Sequence, residues 1–111
     1  MKQISLNDKI FIAGANGMAG SAIYRAFKNA GYGNSKYGGK LLIPSREDLD
    51  FIKKDNVFDW FNSEKPDVVV LAAAKVGGIL ANSLNPVDFL LDNLKIQTNV
   101  IEAAWKFKCK R

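Results

Sequence analysis

Three glycines spaced three apart, Gly14, Gly17 and Gly20, with Asn16 and Met18 among them, are the residues of this chain best suited to hold a charged ligand. They follow an apolar, strand-like segment, Lys9–Ala13, and open a helical pattern over 17–30. A strand that enters a helix through a tight glycine turn aims several backbone N–H groups, and the positive end of the helix dipole, at one point. A pyrophosphate fits there. Glycine is needed where such a turn takes positive φ, where backbone approaches phosphate, or where helix packs on strand. A ligand-free turn would use the same glycines; the strand before them and the helix after them argue for the site.

A second group lies at the end of the next apolar run, 41–43, which Pro44 stops. In dinucleotide folds this is where the cofactor is chosen. A carboxylate there hydrogen-bonds the ribose 2′-hydroxyl of NAD, whereas arginine or a small polar group accepts the 2′-phosphate of NADP. The run leads into Ser45 and Arg46, with no carboxylate at its end. A guanidinium holds phosphate bidentately, so the expected cofactor is NADP, with Arg46 as phosphate ligand and Ser45 as helper. Ser45 with Asp48 also matches a capping box for a short helical turn, and Glu47 or Asp48 would be the NAD alternative. The third group, Ala72, Ala73 and Ala74, ends the β-branched run 68–72. Small residues at the carboxyl end of a strand let ribose and pyrophosphate approach the backbone, although a tight strand-to-helix connection uses them equally.

The elements that must position these groups alternate. Strand patterns at Lys9–Ala13, 41–43 and 68–72 alternate with helical patterns over 17–30, 55–64 and 86–107. Asp55 is placed to cap the second helix, Pro66 to end it, and Pro86 to open the third. Alternation of this kind predicts an α/β fold, the N-terminal half of a doubly wound (Rossmann) parallel sheet with flanking helices. The expected strand order is 3-2-1. That order leaves strand one at an unpaired edge, and the whole of 1–111 reads as one NADP-binding domain truncated before strand four.

Bulk properties narrow the classes. At 111 residues and 48% hydrophobic content the chain can bury about two-thirds of its unfolded surface. The net charge of +5 suits an anionic ligand, but no aromatic–basic interleaving argues for nucleic acid. A lone cysteine, Cys109, allows no internal disulfide and fits a reducing cytoplasm. No stretch approaches the ~20 apolar residues of a membrane span, and no signal peptide precedes the first strand. Histidine is absent, so acid–base chemistry would need other groups.

The G-x-x-G-x-x-G spacing points toward short-chain dehydrogenase/reductase types, and three stretches sharpen this. Phe11-Ile12-Ala13-Gly14 with Gly17-Met18 and Gly20-Ser21-Ala22-Ile23, Ser45-Arg46 with Asp48-Leu49-Asp50, and Ala72-Ala73-Ala74-Lys75-Val76-Gly77-Gly78-Ile79 with Ala81-Asn82 resemble the amino-terminal part of the GDP-L-fucose synthases. Pro86 with Asp88-Phe89, Asn93, and Asn99-Val100-Ile101-Glu102-Ala103-Ala104 extend the likeness over nearly the whole chain, the loop 31–40 excepted. The resemblance implies an extended short-chain reductase that epimerises and reduces GDP-4-keto-6-deoxymannose with NADPH. Asn16 stands where some members carry an arginine that helps with the 2′-phosphate. The resemblance also places catalysis beyond this chain, on a Ser and a Tyr-x-x-x-Lys motif. The pairs Tyr24/Lys28 and Tyr32/Lys36 match that bare spacing but lie before strand two, far from where the motif belongs. Cys109 precedes the position of the family's epimerisation cysteine and reads as an ordinary thiol. Family members commonly dimerise through the helices after strands three and four, which implies a homodimer through the helix over 86–107. Two alternatives stay open: a stand-alone module that complements a separately encoded catalytic half, and a decayed remnant.

Overall fold

The computed structural model, which describes residues 2–73 and 86–111, alternates strands and helices: β1 (Lys9–Ala13), α1 (Met18–Asn29), β2 (Lys40–Leu42), α2 (Lys54–Glu64), β3 (Val68–Leu71) and α3 (Pro86–Lys106). The three strands form one parallel sheet, as the alternation predicts. Ile10 faces Leu41 on β2 and Val68 on β3, and Ala13 faces Leu71. The order, however, is β2-β1-β3 rather than 3-2-1. Strand one is therefore central, and β3 takes the place beside it that the sequence reading left empty.

The composition of β1 explains the correction. Ile10, Phe11, Ile12 and Ala13 are all fully buried. Burial of each large side chain contributes about 1.5–3 kcal/mol, which a strand at the sheet edge would partly forgo. Alternation divides these residues between two faces. Ile10 and Ile12, with Val68, pack against Ile23, Tyr24 and Phe27 of α1. Phe11 and Ala13 pack with Val57 and Phe61 of α2, Val100 and Ala103 of α3, and Leu42 and Leu49. Phe11 is the hub, with ring centroids 4.4 Å from Trp60, 5.6 Å from Phe61 and 6.2 Å from Phe51. Parallel crossovers are right-handed. The chain moves one way from β1 to β2 and back past β1 to reach β3, so α1 and α2 must lie on opposite faces, as they do.

Element ends follow local chemistry. Lys53, not Asp55, is the N-cap of α2; Asp55 lies in the first turn, where a carboxylate favours the helix dipole. At its other end Lys65 takes a left-handed φ of 51° and donates its N–H to the Phe61 carbonyl at 2.8 Å, and Pro66 follows. The β3 run reads as a strand buried on both faces, yet only Val68 is buried and Val69 to Leu71 are half-buried. Among the described residues, its outer edge meets the last residues of the chain. Lys110 N–H donates to Asp67 O at 2.8 Å, and Val69 N–H donates to Arg111 O at 2.9 Å. At the same end of the sheet Asp8 is buried, accepts the Ser5 N–H at 2.7 Å and pairs with Lys110 at 2.6 Å. Burial works to raise the Asp8 pKa. The Lys110 and Ser5 hydrogen bonds and the Lys110 charge outweigh it and hold the carboxyl below its ordinary value. Among the described residues no helix is long and apolar enough to cross a membrane, and no three acidic, cysteine or histidine side chains gather to hold a metal.

Candidate functional site

The strand order sets the place of the site. From β1 the chain leaves toward β2, and after β2 it returns to the opposite side of β1. The reversal opens a crevice at the carboxyl ends of β1 and β3, where open α/β sheets bind ligands. A cleft of about 640 Å³ lies there, in the size range of small-molecule sites.

Its floor is the glycine turn. Gly14 leaves β1 at φ +89°, and a Cβ on it would lie 2.7 Å from the Ala73 nitrogen and Cα. Close approach of two backbones thus demands glycine here, and the Ala72 N–H, bonded to Ala13 O at 2.9 Å, fixes the approach. Gly17 N–H donates to Gly14 O at 3.1 Å, closing the turn, and Gly17 is the N-cap of α1. Among the described residues no side chain caps this helix, and no acidic residue stands in its first turn. Its first N–H groups and the positive end of its dipole are left for an external acceptor. Gly20 plays another part. It is buried one turn into α1, where a Cβ would collide with the Gly14 carbonyl oxygen and sit 2.6 Å from its carbon. The helix can seat this closely on the turn only without that atom.

Six of the ten residues expected at the site line the cleft: Gly14, Asn16, Gly17, Arg46, Ala72 and Ala73. Arg46 is exposed at the rim and, among the described residues, in no ion pair, so its guanidinium faces solvent uncommitted. Three do not line it. Met18 is 93% exposed, so only its backbone bears on the turn. Gly20 acts through packing. Ser45 is engaged locally: its hydroxyl donates to the Asp48 carboxylate at 3.1 Å and accepts the Asp48 N–H at 3.3 Å, which is the turn-stabilising alternative that the sequence offered. Ala74, like the stretch Lys75 through Ile79 and Ala81-Asn82, lies outside the described residues.

The cleft has walls that the motifs did not announce. Ile43 and Pro44 come from the exit of β2, Asp50, Phe51 and Ile52 from the connection to α2, and Ile96 from α3. Ile43, Pro44, Phe51, Ile52 and Ile96 make one part of the cleft apolar, beside the polar floor. One signal for the α3 contribution was present in the sequence: Asn99, a carboxamide on the helical stripe of Ile96 and Ala103. It is buried and donates to the carbonyls of Phe51 at 2.8 Å and Ile52 at 3.1 Å.

Comparison with known proteins agrees with this geometry. The model of the NAD dependent epimerase/dehydratase family matches residues 10–111. The chain is 45% identical over 103 residues to GDP-L-fucose synthase 1 of Arabidopsis thaliana, covering 93% of this chain and 30% of that protein. It is 44% identical over 96 residues to GDP-L-fucose synthase of Escherichia coli, covering 86% and 28%. Among solved structures it resembles a GDP-mannoheptose C4 reductase from Campylobacter jejuni with NADP bound, at 34% identity and a TM-score of 0.86, over 97% of this chain and 32% of that one. The chain thus spans about 30% of the length of the curated relatives it matches. With a family match over almost its entire length and a glycine-floored cleft at the sheet's switch point, this chain belongs to the NAD dependent epimerase/dehydratase family.

Proposed function

We propose that this chain holds NADP(H) as the cofactor-binding part of an epimerase/reductase of the GDP-L-fucose synthase kind, acting on GDP-4-keto-6-deoxymannose. The observation that carries the reading is one cleft that joins an uncapped helix N-terminus to an uncommitted guanidinium across an apolar wall. The pyrophosphate lies over Gly14, Asn16 and Gly17 against the first N–H groups of α1, including that of Met18, with Gly20 keeping the helix close. The adenosine lies along the wall of Ile43, Pro44, Phe51 and Ile52, and Arg46 takes the 2′-phosphate. Ala72 and Ala73 leave room for the nicotinamide half. When bound, the cofactor supplies hydride; this chain's residues bind and orient it.

The relatives named as GDP-L-fucose synthases support the substrate class, and the NADP-bound reductase supports the choice of cofactor. The domain proposed for 1–111 performs no turnover by itself. NADPH retained in equilibrium dialysis, with no oxidation when the keto-sugar is added, is the expected result. Turnover would overturn the claim of inactivity, and failure to retain NADPH would overturn the holding role. A second copy of the chain is the partner proposed for α3, whose Leu90, Leu94, Ile101 and Trp105 stand exposed along one helix. A cytoplasmic setting belongs to the same proposal.

A further inference from the structure

We propose that Asn99 is a positioning residue for the adenosine half of the cleft, fixing the wall segment 50–52 against which that half binds. The inference rests on the dinucleotide reading above and adds a role that the glycine turn and Arg46 do not supply.

The segment that forms this wall belongs to no strand, so its backbone polar groups must find partners elsewhere. One partner is backbone, the Lys53 N–H that donates to Asp50 O at 3.2 Å; side chains serve the Asp50 and Ile52 N–H groups and the Phe51 and Ile52 carbonyls. Asp50 N–H donates to Asn56 Oδ1 at 2.7 Å, and Ile52 N–H donates to Asp50 Oδ1 at 3.1 Å. The Phe51 and Ile52 carbonyls both accept from the single Nδ2 of Asn99, at 2.8 and 3.1 Å. Asn56 is on α2 and Asn99 on α3, so two helices hold the segment. A carboxamide on a core-facing stripe loses its hydration, and only bonds like these repay the cost. An aliphatic residue at 99 would pack with Ile96 and Ala103 but leave both carbonyls unmet. Ile96, one turn earlier on the same helix, lines the cleft itself. One face of α3 therefore contributes a wall side chain and the clamp that sets the neighbouring wall.

The test uses the 111-residue protein with Asn99→Ala and the isosteric Asn99→Asp, whose carboxylate cannot donate. NMR follows three things: amide exchange at Ile52 and Lys53 against that of β1, titration with 2′,5′-ADP, and titration with inorganic pyrophosphate read at the Gly17 amide. The expected result is exchange at least tenfold faster at Ile52 and Lys53 with β1 unchanged. Affinity for 2′,5′-ADP falls about tenfold, the scale of one to two lost hydrogen bonds, while that for pyrophosphate holds. A general structural role would instead speed exchange in β1 and weaken both ligands alike, which overturns the proposal. Unchanged 2′,5′-ADP affinity in both variants overturns it also and leaves the dinucleotide reading intact. Should the unsubstituted protein ignore 2′,5′-ADP while Asn99→Ala loosens the segment, the dinucleotide reading fails and the clamp stands.

Discussion

Substitution of Gly20 by alanine separates packing from propensity. Position 20 lies inside α1, where alanine is favoured over glycine by about 1 kcal/mol. On propensity alone the variant is more stable. The geometry reverses the sign. A Cβ at 20 would overlap the Gly14 carbonyl oxygen, lie 2.6 Å from the Gly14 carbon and 3.0 Å from Ala15 Cα. Ordinary carbon contacts need about 3.5–4.0 Å, so turn and helix must part by roughly 1 Å. All three atoms are backbone, and Gly14 is itself pressed on Ala72 and Ala73, so no side chain can swing aside. Overpacking costs about 1–3 kcal/mol, and a clash with backbone belongs at the upper end. Net destabilisation of about 2 kcal/mol follows, seen as a fall of about 1–2 M in the urea midpoint by far-ultraviolet circular dichroism. Gly17→Ala is the control. A Cβ there meets only Gly14 O, at 3.5 Å, and its φ of −78° suits any residue. It should keep the fold to within about 1 kcal/mol. A Gly20→Ala protein as stable as the parent would refute the close seating of α1 on the turn.

Further outcomes follow from three particular groups. Arg46→Ala lowers NADPH affinity roughly tenfold or more, from the loss of a charge-assisted hydrogen bond, and leaves NADH affinity unchanged, as isothermal titration would read. Burial first, then the Asp67 charge, pushes the Cys109 thiol up to about 11 from 9.0, and its Sγ donates to Pro66 O at 3.2 Å. About 100-fold less thiolate, offset roughly tenfold by greater nucleophilicity, makes iodoacetamide react about tenfold more slowly than in urea-unfolded protein. The raised value also means that the Cys109 contribution to stability is present below pH 9.0 and is lost as pH rises toward 11, a loss that Cys109→Ala removes. Asp8 has the opposite sign. Its folded pKa lies under the ordinary 3.8, so its contribution is present above that pH and is lost as pH falls through the folded value. Asp8→Asn should flatten the acid limb of the stability curve below pH 3.8, measured by urea midpoints.

The sequence disclosed the elements and the glycine floor because both are local: the period of β1, the spacing of Gly14, Gly17 and Gly20, and Pro44 and Pro66 as stops. Strand order was not local. Nothing in the run 68–71 says which neighbour it takes, and a count in chain order placed β3 beyond β2 instead of beside β1. The error hid the switch point, and with it the reason why Ala72 and Ala73 meet Gly14. Ser45 was legible in both its roles, and only the distances to Asp48 chose the turn. The apolar wall escaped notice because Phe51, Ile52 and Ile96 carry no reactive group. They become a site only when α3 brings Asn99 behind them.

The central claim is that one cleft recognises a 2′-phosphorylated dinucleotide by its glycine floor and Arg46. Isothermal titration of the unsubstituted 111-residue protein with NADPH and, in parallel, NADH tests it most directly. The account predicts one NADPH per chain with at least about tenfold preference over NADH, the scale of one charge-assisted hydrogen bond. Equal affinity for the two, or heat from neither, would contradict it.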